Sequence, residues 1–432
     1  MYSSLKIINA NVVTPNGLLI GEVFIKDGII EKISDKVKHP STDNIIDAKG
    51  RYLLPGFIDI HTNGSAGFDC TYGVYDTLNN TFDFDENEYI TGLNKAVKSY
   101  IDAGCTKVIL STISAPFEQI LQVINFIKNY KKKETLINNV IFGLMIEGSF
   151  IKETANAGAH NPDYFQCPEE KILSELLTGN EEIIKIVNIP PEWGENSINS
   201  YKIINEKKII AAAGHTCASA YEINKAVTYG LSLAIHLFNG PSYSSYKPFE
   251  GGGAIEAFLK AENVFVEIIA DGLHVDKSYF LDALKRKGNE KVIAITDNMF
   301  VTGSGIKSEF RMGEKLGVVS DDFKYLYIKE KPNALFGSNL KMNEAFVNLL
   351  NWLTSDTQGV WNKIHKANKF EEALMLTSKL CSGNPADLLK ISDSYGSVAE
   401  GMHADLILAD IKYDKFYTME INKVILNGNI IN

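Results

Sequence analysis

The sequence has no segment that would place the protein in a membrane. Its 432 residues contain no apolar run of the roughly 18 or more residues that a transmembrane helix requires. The N-terminal residues show no basic stretch followed by a long apolar one, so we interpret them as a strand and not as a secretion signal. Low-complexity tracts and long linkers are also missing. We therefore expect a globular protein without a membrane partner.

Cysteines are few and form no paired motif. The chain has five, with no Cys-x-x-Cys spacing: Cys70, Cys105, Cys167, Cys217 and Cys381. An odd number of dispersed cysteines is typical of free thiols in a reducing compartment. The sequence therefore favours a cytoplasmic protein without disulfides.

Basic side chains are fewer than acidic ones. The chain has 43 basic and 53 acidic side chains, and its formal net charge is -10. Nucleic-acid binding requires clustered Lys and Arg to neutralise phosphates, so this balance argues against a nucleic-acid partner. The Gly-rich phosphate loop that follows an early strand in doubly wound sheets is missing as well. The expected partner is a small molecule.

The sequence does contain two strand-rich ends. Both ends alternate apolar and polar residues and are rich in β-branched types. Tight-turn signals, Asp27-Gly28 and Asn427-Gly428, separate short strand patterns at each end. We predict a small β-sandwich domain formed by residues 1–53 and 398–432.

The middle of the chain, residues 54–397, alternates short apolar runs with amphipathic stretches. The runs have the continuous Val/Ile/Ala character of strands buried on both faces: Gly56–Ile60, Lys107–Ser111, Val140–Ile146, Ile183–Ile189, Lys208–Ala213, Leu231–Ile235, Val264–Ala270 and Lys291–Thr296. Helical stretches such as Asn94–Ala103 lie between many of them. About eight β/α units over roughly 250 residues predict a (β/α)8 TIM-type barrel, with a doubly wound open sheet as the alternative. We interpret residues 300–334 as a β-rich insertion after the eighth strand.

Histidines concentrate at the predicted C-terminal ends of the barrel strands, the face on which barrel enzymes build their sites. Five of the eight lie at such an end or in the loop that follows it: His61, His160, His215, His236 and His274. Glu147 closes the third apolar run and Asp297 the eighth. Each residue alone is weak evidence, since most such residues are hydrogen-bonded structural groups or helix caps. Their joint placement predicts a site for a divalent first-row metal.

The motifs around these residues resemble a known family. The first-strand motif Leu54-Pro55-Gly56-Phe57-Ile58-Asp59-Ile60-His61 resembles that of the amidohydrolase superfamily. Further motifs follow in order: Met145-Ile146-Glu147-Gly148, Ala159-His160-Asn161-Pro162, Ala213-Gly214-His215, His236-Leu237-Phe238-Asn239, Ala270-Asp271-Gly272-Leu273-His274, Ile295-Thr296-Asp297 and Leu335-Phe336-Gly337-Ser338. Together, from about residue 5 to the C-terminus, they resemble the N-acetylglucosamine-6-phosphate deacetylases.

The resemblance implies an enzyme of amino-sugar catabolism, a homodimer, that converts N-acetylglucosamine 6-phosphate to glucosamine 6-phosphate and acetate. Glu147, His215 and His236 would hold one divalent metal, best Zn²⁺, with Fe²⁺, Mn²⁺ or Co²⁺ as alternatives. Asp297 would take a proton from the attacking water and deliver it to the leaving amine. His160 would polarise the acetyl oxygen.

The resemblance also implies how the sugar phosphate is held. Asn239, the backbone at Gly240, and His274 would contact it. The family usually has an Arg that reaches the phosphate across the dimer interface, and counting forward from His236 places Lys247 at that position. Lys neutralises a phosphate but cannot form the bidentate fork of Arg, so the phosphate would be held less specifically or the substrate would differ. A solvated Lys247 is the alternative.

The first strand departs from the superfamily pattern. The chain has His61-Thr62-Asn63 where His-x-His is common, and Asn188 ends the fourth strand where a bridging Lys would be expected. These departures favour one tightly held metal. His61 would either bind a second ion weakly, with Glu147 as the bridge, or form a hydrogen bond to a ligand.

Three other functions stay open at this point. The substrate would be the galacto epimer, N-acetylgalactosamine 6-phosphate, or it would be a different N-acyl or cyclic amide. The third alternative is a non-catalytic barrel that binds a sugar phosphate. Such a barrel should have lost Asp297 or a metal ligand, and this sequence retains them.

Overall fold

The two ends of the chain build one sheet. The structure, a computed structural model, describes residues 4–35, 42, 44–133, 135–241 and 251–431. The sheet has eight strands: Leu5–Thr14, Gly17–Lys26, Ile29–Ser34, Ile45–Asp47, Tyr52–Pro55, Leu406–Asp414, Phe416–Leu426 and Asn429–Ile430. Tyr52–Pro55 joins the halves, because it pairs parallel with Leu5–Thr14 and antiparallel with Leu406–Asp414.

This terminal sheet encloses its own core. Ile30 lies in the last strand at one end of the strand order and Ile425 in the second strand from the other end, yet both are buried in one apolar cluster with Ile7, Leu53 and Leu406. The sheet therefore curls over on itself, which agrees with the predicted small β-domain. The division of the chain at residues 53/54 and 397/398 stays a prediction.

Eight parallel strands form the predicted barrel, and each pairs with its neighbours in chain order. They are Phe57–Thr62, Cys105–Thr112, Ile141–Ile146, Ile184–Asn188, Ile210–Ala213, Leu231–Ala234, Phe265–Ile269 and Val292–Ile295. At the rim the Asp297 N–H donates to the His61 carbonyl, 2.9 Å apart, and Thr296 Oγ1 donates to Asp59 Oδ2 at 2.5 Å. These bonds join the eighth strand to the first, so the open-sheet alternative is wrong.

Helices follow the barrel strands as a β/α pattern requires. Eight of them alternate with or follow the strands: Glu86–Asp102, Phe117–Lys131, Glu170–Leu177, Glu195–Glu206, Ala220–Thr228, Ala254–Lys260, Lys277–Lys287 and Met342–Leu353. The first begins at Glu86 and not at the predicted Asn94. The reason is local, because the side chain of Asp85 accepts a hydrogen bond from the Asn87 N–H and caps the helix there.

Two small antiparallel sheets lie beside the barrel rim. The first was not predicted and precedes the first helix; its strands are Gly64–Ser65, Phe68–Asp69, Gly73–Asp76 and Thr81–Asp83. The second is the predicted insertion; its strands are Glu309–Met312, Lys315–Val319, Tyr325–Ile328 and Lys331–Ser338. Tyr75, Phe300 and Phe310 pack into one core between them. The Ser338 N–H donates to the Asp297 carbonyl at 3.0 Å, so the insertion returns to the rim.

The chain between the barrel and the last strands is largely helical. It contains the short hairpin Thr357–Gln358 and Ile364–His365, then the segments Phe370–Ser378, Lys379–Gly383 and Asn384–Leu388. In the described part of the chain, no helix combines the length and the apolar character needed to cross a bilayer.

Candidate active site

Glu147 is the centre of the predicted site. It follows the third barrel strand, and its carboxylate is almost fully buried. Oε1 lies 3.1 Å from His236 Nε2 and 3.3 Å from His215 Nε2. The ligand atoms of these three residues all lie within 4.8 Å of one another. One carboxylate and two imidazoles at this spacing are a donor set for a divalent cation.

His215 and His160 also face Glu147 Oε1, and they differ in which ring nitrogen carries the proton. His215 Nδ1 lies 2.7 Å from the Asn156 carbonyl, which can only accept, so His215 presents a lone pair at Nε2. His160 Nδ1 accepts the backbone N–H of Ser114 at 3.1 Å, so its proton is on Nε2, 3.7 Å from Glu147 Oε1. His215 is therefore arranged as a cation ligand and His160 as a hydrogen-bond donor.

The Glu-Gly motif has a steric reason. Gly148 lies directly against the Ser114–His160 hydrogen bond. A Cβ at position 148 would be 2.2 Å from Ser114 N and 2.5 Å from His160 Nδ1. Any larger residue would separate Ser114 from His160. Glycine therefore lets the segments that follow the second and third barrel strands approach closely enough to form this hydrogen bond.

Asp297 follows the eighth barrel strand and contacts Asn63 and His61. Asn63 Nδ2 donates to its Oδ1 at 2.7 Å, and His61 Nε2 is 3.5 Å from the same oxygen. Asn63 is the residue that replaces the second imidazole of His-x-His. Its amide therefore orients the Asp297 carboxylate instead of supplying a metal ligand.

His61 is surrounded by carboxylates. Its Nε2 lies 3.3 Å from Glu147 Oε2 and its Nδ1 lies 3.0 Å from Glu267 Oε2. Burial alone would lower the pKa of His61, but Glu147, Glu267 and Asp297 outweigh burial and raise that pKa well above its usual value. Three carboxylates around one imidazole give this rim an excess of negative charge.

Burial and hydrogen bonds act differently on Glu147 and His160. Burial would raise the pKa of Glu147, yet the charge of His61 and the nearby Nε2–H of His160 hold it well below its usual range. Burial lowers the pKa of His160, and Glu147 compensates only in part. Glu147 is therefore an anion and His160 is neutral near pH 7.

The comparison with known families agrees with this geometry. The pattern of the Amidohydrolase family matches residues 52–431, which include every barrel strand. The chain belongs to the amidohydrolase family.

Individual relatives resemble this amidohydrolase over nearly its whole length. The N-acetylglucosamine-6-phosphate deacetylase of Lysinibacillus sphaericus is 28% identical over 95% of this chain and 94% of its own. The protein of the same name from Bacillus subtilis is 27% identical and covers 100% of this chain and 98% of its own. The crystal structure of N-acetylglucosamine-6-phosphate deacetylase from Pasteurella multocida has a TM-score of 0.80 at 23% identity, over 99% of both chains. At 23% identity this structural likeness shows the fold alone.

Three residues of the amidohydrolase site have left-handed backbone conformations. The φ angles are +51° at His215, +27° at His236 and +49° at Asp297. Side-chain-bearing residues rarely adopt these angles, which cost on the order of 1–3 kcal/mol each. Strain of this kind persists where the surrounding structure over-determines it, and here it coincides with the predicted functional residues.

A cavity of about 300 Å³ opens above these side chains, within the range of roughly 300–1,000 Å³ common for ligand sites. His274 and Asn239, for which contacts to a sugar phosphate are predicted, line it. Asp271 Oδ2 lies 2.6 Å from His274 Nδ1, which leaves His274 Nε2 for a ligand. A larger cavity of about 460 Å³ lies beside the terminal sheet, but none of the described cation-ligand clusters lies there.

The remaining predicted contacts are Gly240 and Lys247. Gly240 packs against the cation ligands, because a Cβ there would be 2.7 Å from His215 N and 2.9 Å from the His236 ring. Lys247 lies outside the described residues.

Sequence reasoning missed two buried residues that hold the site together. Glu267 interrupts the apolar run Val264–Ala270, the same signal that drew attention to Glu147. Asn188 Nδ2 donates to the Glu147 carbonyl at 2.9 Å, and its Oδ1 accepts the Gly214 N–H at 2.8 Å. In the sequence Asn188 stands out only because it occupies the place of a lysine, and no pattern predicts this bridge between strand ends.

Proposed function

We propose that this amidohydrolase removes the acetyl group from N-acetylglucosamine 6-phosphate and yields glucosamine 6-phosphate and acetate. The observation that carries the proposal is the convergence of Glu147, His215, His236, His160 and Asp297 on one cavity. The names of the two full-length relatives support this substrate.

The donor set fits one divalent cation held by Glu147, His215 and His236. Two imidazoles and a carboxylate suit Zn²⁺ best, with Fe²⁺, Mn²⁺ and Co²⁺ as alternatives. A cation bound there lowers the pKa of water and polarises the acyl carbonyl. His61 Nε2 faces Glu147 and Asp297, and a weaker second ion would bind there only by displacing the proton from that nitrogen.

Asp297 moves the proton. Its Oδ1 is held by Asn63, and within the described chain Oδ2 has no partner. Asp297 takes a proton from water as the water oxygen bonds to the acyl carbon, and it gives that proton to the nitrogen as the C–N bond breaks. Protonation at nitrogen is needed because an unprotonated amine is a very poor leaving group near neutral pH.

His160 stabilises the developing charge. It is neutral and carries its proton on Nε2, so it donates to the acyl oxygen when the carbonyl becomes tetrahedral. Ser114 holds the ring in that orientation before the substrate arrives.

Asn239, the Gly240 backbone and His274 would contact the sugar phosphate, with Lys247 reaching its phosphate group. His274 can present only Nε2, since Asp271 holds its other ring nitrogen. We further propose a homodimer in the cytoplasm. The five cysteines are unpaired in the structure, which is consistent with a reducing compartment.

The test is acetate release by the metal-loaded protein from a panel of acetylated compounds: N-acetylglucosamine with and without the 6-phosphate, its galacto epimer with the 6-phosphate, and an N-acetyl amino acid. We expect the highest kcat/KM with N-acetylglucosamine 6-phosphate and a large loss without the phosphate. Turnover that ignores the phosphate would favour a different N-acyl amide. No acetate from either sugar phosphate would refute the proposal.

A further inference from the structure

Glu267 is a buried carboxylate that is neither a proposed cation ligand nor a proposed proton carrier. It lies in the seventh barrel strand, Phe265–Ile269, and its side chain has no exposed surface. An isolated carboxylate in an apolar interior is costly, so it is retained only where it is paired or hydrogen-bonded. Its partners therefore indicate what it does.

Both described partners of the Glu267 side chain belong to the candidate site. Oε2 lies 3.0 Å from His61 Nδ1 and accepts the backbone N–H of His236 at 3.1 Å. A carboxylate at this position holds the proton of His61 on Nδ1, which turns the Nε2 atom toward Glu147 and Asp297. The same oxygen holds the backbone of a cation ligand.

The hydrogen bond from the His236 N–H to Glu267 supports a strained part of the backbone. His236 has a φ of +27°, and a conformation of this kind needs support from its surroundings. The Leu237 N–H donates to the Glu267 carbonyl at 2.9 Å, so the seventh strand holds both sides of the turn that carries His236. Glu267 thus contacts the first and the sixth strand ends from the seventh.

We propose that Glu267 is a positioning residue that orients the His61 ring and the His236 backbone around the cation. The inference rests on the proposed cation site and adds a residue to it. An apolar side chain of similar length at position 267 would leave the His61 Nδ1–H and the His236 N–H buried without an acceptor, whereas Gln would still accept from both.

The experiment compares E267M, E267Q and a control, D282N. Asp282 is also fully buried, and its Oδ1 lies 2.7 Å from a histidine, His365, but it is far along the chain from the cation ligands and contacts none of them. Zn²⁺ affinity is measured by competition with a chelator at a temperature where all variants are folded. We expect E267M to lose roughly 10- to 100-fold in affinity, E267Q to lose only a few-fold, and D282N to keep wild-type affinity.

A second readout follows the His61 ring itself. In histidine-labelled protein with one equivalent of Zn²⁺, ¹H–¹⁵N correlations report which ring nitrogen carries the proton, and the H61N spectrum assigns His61. We expect a protonated Nδ1 in wild type and E267Q and loss of that state in E267M. The inference is overturned if wild-type Nδ1 is bare, or if E267M keeps both the affinity and the ring signature. The wild-type spectrum decides even if E267M does not fold.

These readouts separate this inference from the proposed function. Wild-type protein that binds Zn²⁺ but releases no acetate would refute the proposed deacetylation and leave the affinity and ring measurements interpretable. An active wild type whose E267M variant keeps both the affinity and the ring signature would refute only the role of Glu267.

Discussion

The N-terminal end of the barrel contains a buried ion pair, whereas at the C-terminal rim three carboxylates surround one imidazole. At the N-terminal end, Lys107 of the second barrel strand forms a buried ion pair with Asp405, which precedes a strand of the terminal sheet. Lys107 Nζ also lies 4.5 Å from the centre of the Tyr395 ring. This pair joins the barrel to the terminal sheet.

At the rim, Glu147, Glu267 and Asp297 surround His61, and the described residues that line the cavity include no Lys or Arg. The positive φ angles of the candidate site also occur at this end. Unbalanced charge and backbone strain both cost stability, so their coincidence marks the end of the barrel that is built to bind and react. The end that contains the Lys107–Asp405 pair is built to hold the fold together.

The sharpest way to break this comparison is to remove a cation ligand. H215A should lose the cation, and turnover should vanish with it, because only Glu147 and His236 would remain of the three. Metal content of the purified variant is the measurement. H365A is the matched control, since His365 pairs with Asp282 away from the site and should keep a full complement of metal. Full occupancy in H215A would refute the ligand assignment.

The next effect separates chemistry from cation binding. D297N keeps the shape of the carboxylate but cannot take a proton, so kcat should fall by roughly 10²- to 10⁴-fold. The cation should be retained, because Glu147, His215 and His236 are unchanged. Steady-state acetate release and metal analysis on the same preparation measure both quantities. Undiminished turnover would mean that another group is the base.

The N-terminal end should show the opposite behaviour. K107M leaves Asp405 buried without its partner, so the free energy of unfolding should fall by roughly 3–5 kcal/mol. Cation content and kcat of the folded fraction should not change. Urea unfolding measures the loss, and K366M, which removes an exposed pair with Asp356, should cost at most about 1 kcal/mol. A K107M variant that loses the cation would contradict the division between the two ends.

The smallest expected effect lies between the ends, at Asp59. Burial raises the pKa of Asp59 to about 7, against hydrogen bonds from Thr296 and His61 that lower it. Between about pH 4 and pH 7 the folded protein keeps a proton that the unfolded chain has lost, so this group makes stability fall as pH rises. This dependence spans about three pH units and changes the free energy of unfolding by at most roughly 4 kcal/mol.

D59N should therefore flatten the dependence of unfolding free energy on pH over that window. Urea unfolding of metal-free wild type and D59N at several pH values measures the difference, and all other titrating groups are common to both. Parallel curves for the two proteins would show that Asp59 is ionised in the fold.

Much of the site could be predicted because its signals are local. Glu147 ends an apolar strand, and His215 and His236 follow strands whose C-terminal ends must share one rim in a parallel barrel. The insertion after the eighth strand was predicted for the same reason, since its alternation differs from that of the barrel. Glu267 gave a comparable signal inside its strand, but no sequence pattern says which residue such a carboxylate will contact.

By itself, the sequence determined the strand and helix order, the rim position of the histidines and the donor atoms available to a cation, because these follow from periodicity and side-chain chemistry. Tertiary structure alone decided which nitrogen of His215 and His160 carries the proton. It also decided that the Asn63 amide donates a hydrogen bond to Asp297. Those outcomes depend on partners more than 40 residues away, which meet only when the barrel strands assemble.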